Sequence, residues 1–347
     1  MGLLHRMKTF HHKIKSISYG NLDYWAITFD LLYCKIRYRT STHEYLTYKF
    51  YNYKHRYRKN FILTKHKKQY EKINFRGLTR SKYITYKYIP DLYQREIILA
   101  PQCGEDAFIN FLKKHQRIVI KPDTGSLGKG VEIVEYCDDT VAKELFATFI
   151  KNKPKICEEF IIQHPLLKQL NPSSVNTIRI TSLMQNGDVE IISATLKCGV
   201  GEDKVTDNLS LGGIGAQVDI SSGIVSTYGQ DFKNQKYIFH PTTGTQIIGM
   251  QLPNWDATIA LVKAAHKRLP QCTVFGWDVA ITETGADIVE ANNRPGSRIM
   301  QRMDGIPKGQ KIIPLLRHDT LKEKRSIYSS DIKRLYKKEF QIESTTN

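Results

Sequence analysis

Asp278, Glu290 and Asn292 are three oxygen-bearing side chains within the stretch FGWDVAITETGADIVEANNRPG, residues 275–296. Two carboxylates brought close together repel, and they resist burial unless something compensates them. A hard cation does so, and Mg²⁺ typically takes one or two carboxylates together with phosphate oxygens. Mn²⁺ suits the same oxygen donors. The equally open reading is a surface hairpin whose acids are simply solvated.

The elements that must position these groups are legible around them. Val274–Ile281 and Ala286–Ala291 have strand character and flank Glu283-Thr284-Gly285. That pattern predicts an antiparallel hairpin with a three- to five-residue loop. Pairing sets Asp278 opposite Glu290, and Glu290 and Asn292, two apart on one strand, leave the same face.

A second group lies upstream. Gly125, Ser126, Gly128 and Gly130 sit between a buried strand, Arg117–Lys121, and a second strand, Val131–Tyr136. Such a loop can lay backbone N–H groups against phosphate oxygens. It is not a Walker A loop, which needs Gly-Lys-Ser/Thr and then a helix, and the glycine order also fails the dinucleotide fingerprint. A plain glycine-rich hairpin is the alternative. Lys121, at the end of a buried strand, needs an anion. Ala107–His115 and residues 140–151 read as helices, and Lys155–Ile162 as another strand.

These pieces occur in order: VIKPDTGSLGKGV, CEEFI about thirty residues on, and WDV…VEANNRPG. Together they resemble the ATP-grasp superfamily over residues 117–296. NTIRI at 176–180, TDNLSLGGIG at 206–215 and EEFIIQHP at 158–165 resemble its sugar-transfer associated branch. The resemblance implies an α+β ATP-grasp fold, two α/β lobes with the nucleotide between them, preceded by a basic, mostly helical N-terminal region. It implies ATP and Mg²⁺ (or Mn²⁺) as cofactors. Lys121 matches the phosphate-binding lysine, and Gly125, Ser126, Gly128 and Gly130 match the lid. Glu158, Glu159, Phe160 and Ile161 match the adenine hinge, and Asp278, Glu290 and Asn292 the metal ligands. Arg179 and Lys197 fall where related ligases keep cations near the γ-phosphate, and Asn208 where a polar loop meets the transferring phosphoryl group. One departure stands out: Gln163 and His164 occupy the positions where an acid usually meets the ribose.

The activity implied is a carboxylate–amine ligase working through an acyl-phosphate, with an acidic small-molecule or glycan acceptor and an amine as partners, in surface polysaccharide biosynthesis. A small-molecule or sugar kinase would use the same residues and stop at the phosphorylated product. A non-catalytic nucleotide- or nucleic-acid-binding scaffold is the third reading.

Charge and composition bound the rest. The chain has 347 residues and a net charge of +18. Residues 1–120 hold 24 Lys and Arg against 8 Asp and Glu (+16), residues 121–305 hold 18 against 21 (−3), and residues 306–347 hold 10 against 5 (+5). A near-neutral core between basic flanks suits an anionic partner, including a membrane surface. Residues 33–95 interleave tyrosines with cations, which in principle stacks bases. No nucleic-acid motif accompanies them, and no specific nucleic acid is expected. Leu3, Met7, Phe10, Ile14 and Ile17 are spaced as one face of a basic helix over residues 3–17. The six cysteines, without CxxC or Cys/His clusters, read as reduced core residues. With no signal-peptide pattern, a cytoplasmic location is expected, with peripheral contact at the inner face of the membrane. The expected division is 1–95, a basic helical region; 96–165, the lid-and-hinge lobe; 166–314, the metal-site lobe; and 315–347, a basic helical tail.

Overall fold

The computed structural model describes residues 11, 12, 14, 15, 21–52, 55–125, 130–150, 154–202 and 207–340. Most of the helix expected over residues 3–17, and the lid residues Ser126 and Gly128, lie outside the described residues.

Tyrosines crowd residues 33–95, and many of them fold inward. Helix α1 (Asn21–Tyr38) sets Leu31, Cys34 and Tyr38 against Tyr45, Tyr48, Phe50 and Phe61 in a satellite core. Tyr48 stacks on Phe61 with ring centroids 5.1 Å apart. Asp30 fixes this core by accepting from the Tyr45 hydroxyl at 2.6 Å and from Arg58 at 2.5 Å. These aromatic faces are packed against one another, so they are not presented to bases. Helix α2 (Lys82–Tyr88) then leads into the first lobe.

Strands β1 (Ile97–Ala100), β2 (Arg117–Pro122), β3 (Glu132–Glu135) and β4 (Lys155–Glu159) form an antiparallel sheet in the order β1-β4-β2-β3. Alternation sends Ile118, Ile120 and Cys157 to one face, where α3 (Glu105–His115) and α4 (Asp139–Ile150) cover them with Phe108, Phe111, Phe146 and Phe149. Lys121 and Glu158 therefore belong to the other face. The strand expected over Lys155–Ile162 ends at Glu159. Beyond it Ile162 is exposed, and the buried side chain of Gln163 binds loop carbonyls instead, donating to Ser174 O at 2.6 Å.

The second sheet has seven antiparallel strands: β5 (Thr177–Gln185), β6 (Asp188–Cys198), β7 (Ile214–Val218), β8 (Gly229–Gln230), β9 (Lys236–Tyr237), β10 (Val274–Thr282) and β11 (Gly285–Asn292), in the order β11-β10-β5-β6-β7-β8-β9. Its apolar face carries Ile178, Ile180, Leu196, Ala216, Trp277, Val279 and Ile288 against helix α5 (Trp255–Lys267). The opposite face is polar, because Arg179, Lys197, Gln217 and Asp278 occupy the alternate positions. After β11 comes α6 (Ser297–Arg302), and the expected basic tail holds α7 (Arg325–Glu339), whose Ile332 joins the same core.

The β10–β11 turn is tighter than expected: Thr282 pairs with Gly285, leaving only Glu283 and Thr284 between them. The cysteines also need a correction. Cys34, Cys157, Cys198 and Cys272 are buried, but Cys103 is half-buried and Cys137 is exposed.

Candidate active site

The β10–β11 hairpin works through a bulge. Asp278 pairs with Glu290, but the next pair is Val279 with Ile288, so Val289 is the extra residue on β11. Strict alternation would send Ile288 and Glu290 to one face. The bulge instead leaves Ile288 in the apolar core and turns Glu290 to the polar side. Gly276 is required beside it, since a Cβ there would meet the Pro295 Cα at 2.6 Å. The Asn-Arg-Pro-Gly loop thus closes directly over the strand.

Asp278 is the most heavily engaged acid. Arg179, its cross-strand partner on β5, grips it through two bonds, Nε to Oδ1 at 2.8 Å and Nη2 to Oδ2 at 2.6 Å. Lys197 on β6 adds a third contact at 2.9 Å and reaches Asp207 at 3.2 Å. Burial alone would raise the Asp278 pKa, but Arg179 and Lys197 outweigh it and hold the carboxyl well below the usual carboxylate range. Burial likewise opposes the charge on Lys197, and Asp207 and Asp278 together hold its pKa above the ordinary lysine value.

Glu290 is in the contrary state. Burial first, and Asp278 second, push its carboxyl up. Among the described residues it has no ion pair. The side-chain nitrogen of Asn292 is also buried without a hydrogen-bond partner. An amide flip exchanges nitrogen for oxygen, so this position can present an oxygen donor beside Glu290. A poorly compensated carboxylate and an orphaned amide on one face suit a hard cation. The donor set is two carboxylates and an amide; no group of three or more His, Cys, Asp or Glu is poised for a metal among the described residues.

From the first sheet, Lys121 lies 2.9 Å from Glu158. Its anion in this structure is therefore a protein carboxylate. Burial would raise the Glu158 pKa, but Arg95 and Lys121 outweigh it and keep it below the ordinary value. The other hinge positions diverge. Glu159 accepts from the Glu96 N–H at 3.2 Å, Phe160 lies under the Arg117 guanidinium at 4.2 Å, and Ile161 follows it off the strand end. Gly125 and Gly130 both have positive φ, +135° and +72°, and a Cβ at Gly130 would press on the Pro122 ring at 3.1 Å.

The side-chain oxygen of Asn208 is not turned into the cluster. It caps the short turn that follows, accepting from the Ser210 N–H at 2.9 Å and hydroxyl at 2.6 Å. Its neighbour Asp207 reaches Lys197 instead, and also binds the Thr177 N–H at 3.1 Å. Gln163 and His164 serve the backbone: Gln163 accepts from the Asn176 N–H at 3.0 Å, and His164 Nδ1 from the Leu166 N–H at 3.2 Å.

Four contributors carry no sequence signal of their own or were masked by neighbours. Arg95 joins the sheets, bonding Glu158 at 3.2 Å and Asp287 at 2.7 Å. Lys82 reaches the Pro122 carbonyl at 3.1 Å, and burial pushes its ammonium down against the pull of Glu290. Asn74 donates to the Asn293 carbonyl at 2.6 Å and so fixes the end of β11. Asp207, the fourth, adjoins Asn208 in the motif, and only the loop's path distinguishes the two. Lys82, Glu158 and Glu290 line one narrow cavity between the sheets, about 10 Å³ in volume. That is room for roughly one water, whereas a nucleotide-sized ligand needs several hundred Å³.

A family model described as sugar-transfer associated ATP-grasp matches residues 49–317. Among solved structures, D-alanine–D-alanine ligase from Bacillus anthracis is 15% identical, with 76% of this chain covering 70% of that one at a TM-score of 0.39. The ATP-grasp ligase PsnB with its minimal precursor is 11% identical, with coverages of 62% and 52% and a TM-score of 0.37. An L-amino acid ligase from Bacillus licheniformis is 14% identical, with coverages of 68% and 47% and a TM-score of 0.39. The chain spans about half the length of the last two. No curated protein matches it.

Proposed function

The chain belongs to the sugar-transfer associated ATP-grasp family, and from that premise we propose that it is an ATP- and Mg²⁺-dependent ligase joining an acid to an amine. The acceptor in this reading is a sugar acid or a related acid of surface polysaccharide biosynthesis, free or carried at the inner face of the membrane. The observation that carries it is one polar sheet face on which Arg179 and Lys197 flank Asp278, with Glu290 and Asn292 alongside.

When bound, ATP supplies the phosphoryl group and Mg²⁺ neutralises its charge. Asp278, Glu290 and Asn292 are the residues that would hold the metal. Lys121, at the strand end before the lid, is suited to the α- and β-phosphates. Arg179 and Lys197 bring two fixed positive charges to the place where charge develops, and fixed charges in a dry site cost no reorganisation during reaction. A carboxylate oxygen of the acceptor bonds to the γ-phosphorus as the bond to ADP breaks. The amine nitrogen then displaces phosphate from the acyl carbon and loses a proton. The lobes of this reading are residues 96–165 and 166–314, with Gly125, Ser126, Gly128 and Gly130 as the lid.

ADP release is the test, measured with Mg²⁺ on the native protein and Glu290→Gln, with uronic acids supplied with and without amines. Release that rises with an amine and collapses in the variant is the expected result. A stable phosphorylated acid or sugar would make the protein a kinase, and bound ATP without turnover would make it a scaffold.

A further inference from the structure

Helix α1 carries two apolar stripes. Ile27, Leu31, Cys34 and Tyr38 pack into the satellite core. Trp25, Phe29, Leu32 and Ile36 repeat the same spacing two residues earlier, which at about 100° per residue puts them on the opposite side of the helix. That second stripe faces solvent: Trp25 is 58%, Phe29 65%, Leu32 46% and Ile36 83% exposed. Tyr33, 44% exposed, widens it. A helix that is apolar on both sides is one that something covers on both sides, and a continuous exposed patch marks an interaction surface.

We infer that this stripe docks the protein on an anionic lipid surface. Lys35, Arg37 and Arg39 are exposed at its C-terminal end. Of the two acids in the helix, Asp30 is held by Arg58 and Tyr45, and Asp23 stands at the other end. Tryptophan, phenylalanine and leucine on one side with arginine and lysine at the margin is the composition of a helix lying in the bilayer interface. Charge decides between occupants. Residues 1–120 carry +16, so a second copy would bring like charge against like, whereas an anionic bilayer attracts it. No helix among the described residues is long and apolar enough to cross a membrane, which fits a surface contact. The inference is independent of the proposed ligase activity, because vesicle binding and ATP turnover are read separately.

The experiment uses the full chain with vesicles of mixed phosphatidylglycerol and phosphatidylcholine, and with phosphatidylcholine alone. Co-sedimentation with the anionic vesicles is expected, weakened by salt. Tryptophan emission should shift to the blue, because Trp25 is exposed whereas Trp255 is 5% and Trp277 0% exposed. The double variant Phe29→Ser/Ile36→Ser should lower the apparent affinity about tenfold or more, with melting temperature and ATP turnover unchanged. Three results overturn the inference: no binding to anionic vesicles, equal binding to phosphatidylcholine alone, or a double variant that binds like the native protein. A dimer in analytical ultracentrifugation that the double variant dissolves would also overturn it, assigning the stripe to a second copy.

Discussion

Arg95 is the joint between the two sheets, and Arg95→Met removes its charge while keeping most of its apolar stem. Arg95 is 6% exposed, and its guanidinium donates to Glu158 at 3.2 Å, to Asp287 at 2.7 Å and to the Ile288 carbonyl at 2.8 Å. Breaking a buried ion pair from one side typically costs about 3–5 kcal/mol, because the abandoned carboxylates stay buried. The loss here belongs at the lower end, about 3 kcal/mol, since Lys121 remains 2.9 Å from Glu158 and the Gln94 N–H remains 3.1 Å from Asp287. At roughly 2 °C per kcal/mol for a chain of this size, the melting temperature should fall by about 6 °C. The pH dependence has a definite sign. Glu158 is held below its ordinary value, so its contribution is full above the unfolded pKa of about 4.3 and is lost as pH falls through the folded one. The penalty of Arg95→Met should therefore be full at neutral pH and shrink below about pH 4. Thermal melts across that range, on the native protein, Arg95→Met, Glu158→Gln and the double variant, provide the assay. A fall of less than about 2 °C at neutral pH, or strictly additive single effects, would refute the joint.

Asp278→Asn leaves Arg179 and Lys197 buried without their shared anion, so it should abolish ADP release and cost about 3 kcal/mol or more; activity and melting measured together check both. His266 is buried and neutral, its Nε2–H donating to the Cys272 carbonyl at 3.0 Å and its Nδ1 accepting from the Ser182 hydroxyl at 2.7 Å. Burial pushes its pKa down to about 4. Its contribution is full above the unfolded value of about 6.5 and lost as pH falls toward 4, up to about 3 kcal/mol. His266→Gln should flatten that limb in urea unfolding measured stepwise in pH. Lys82→Met should weaken ATP binding roughly tenfold by calorimetry while moving the melting temperature by no more than about 2 °C.

Much of the hairpin was legible because strand alternation and a polar Glu-Thr-Gly break are local signals. The Asp278–Glu290 pairing followed from counting outward from the turn. The bulge at Val289 was not legible, since an extra apolar residue in an apolar run changes nothing in the pattern. Lys121 is readable as a buried cation needing an anion, but the resemblance matches Glu158, thirty-seven residues away, to the hinge, and nothing in the sequence marks its side chain as the carboxylate that Lys121 meets. Asn208 and Asp207 are neighbours with similar polarity, so the choice between them rests on backbone path alone, and the structure turns Asp207 toward Lys197. Arg95 and Lys82 were hidden by number: they are two of the 24 cations in residues 1–120, and only tertiary contact distinguishes them. The end of β4 was overrun because Phe160, Ile161 and Ile162 look like strand, while the tie that breaks it, Gln163 to the 171–176 loop, is a side-chain contact with no periodic signature.

Among the described residues, the cleft between the sheets holds the cations Lys82, Arg95, Lys121, Arg179 and Lys197 and the acids Glu158, Asp207, Asp278, Asp287 and Glu290. Lys121, Arg179 and Lys197, the cations proposed to meet the phosphates, are already engaged by carboxylates. A polyanion entering such a site cannot simply add contacts. It must take cations from Glu158 and Asp278, and buried carboxylates stripped of their partners are costly. In the proposed reaction Asp278, Glu290 and Asn292 would hold a metal whose positive charge would fall on the same sheet face where Asp278 would lose its share of Arg179 and Lys197. Glu290, held up in pKa by burial and by Asp278, would gain most from such a charge. Nucleotide and metal binding would then be coupled in the proposed reaction through the charge pairing of the cleft.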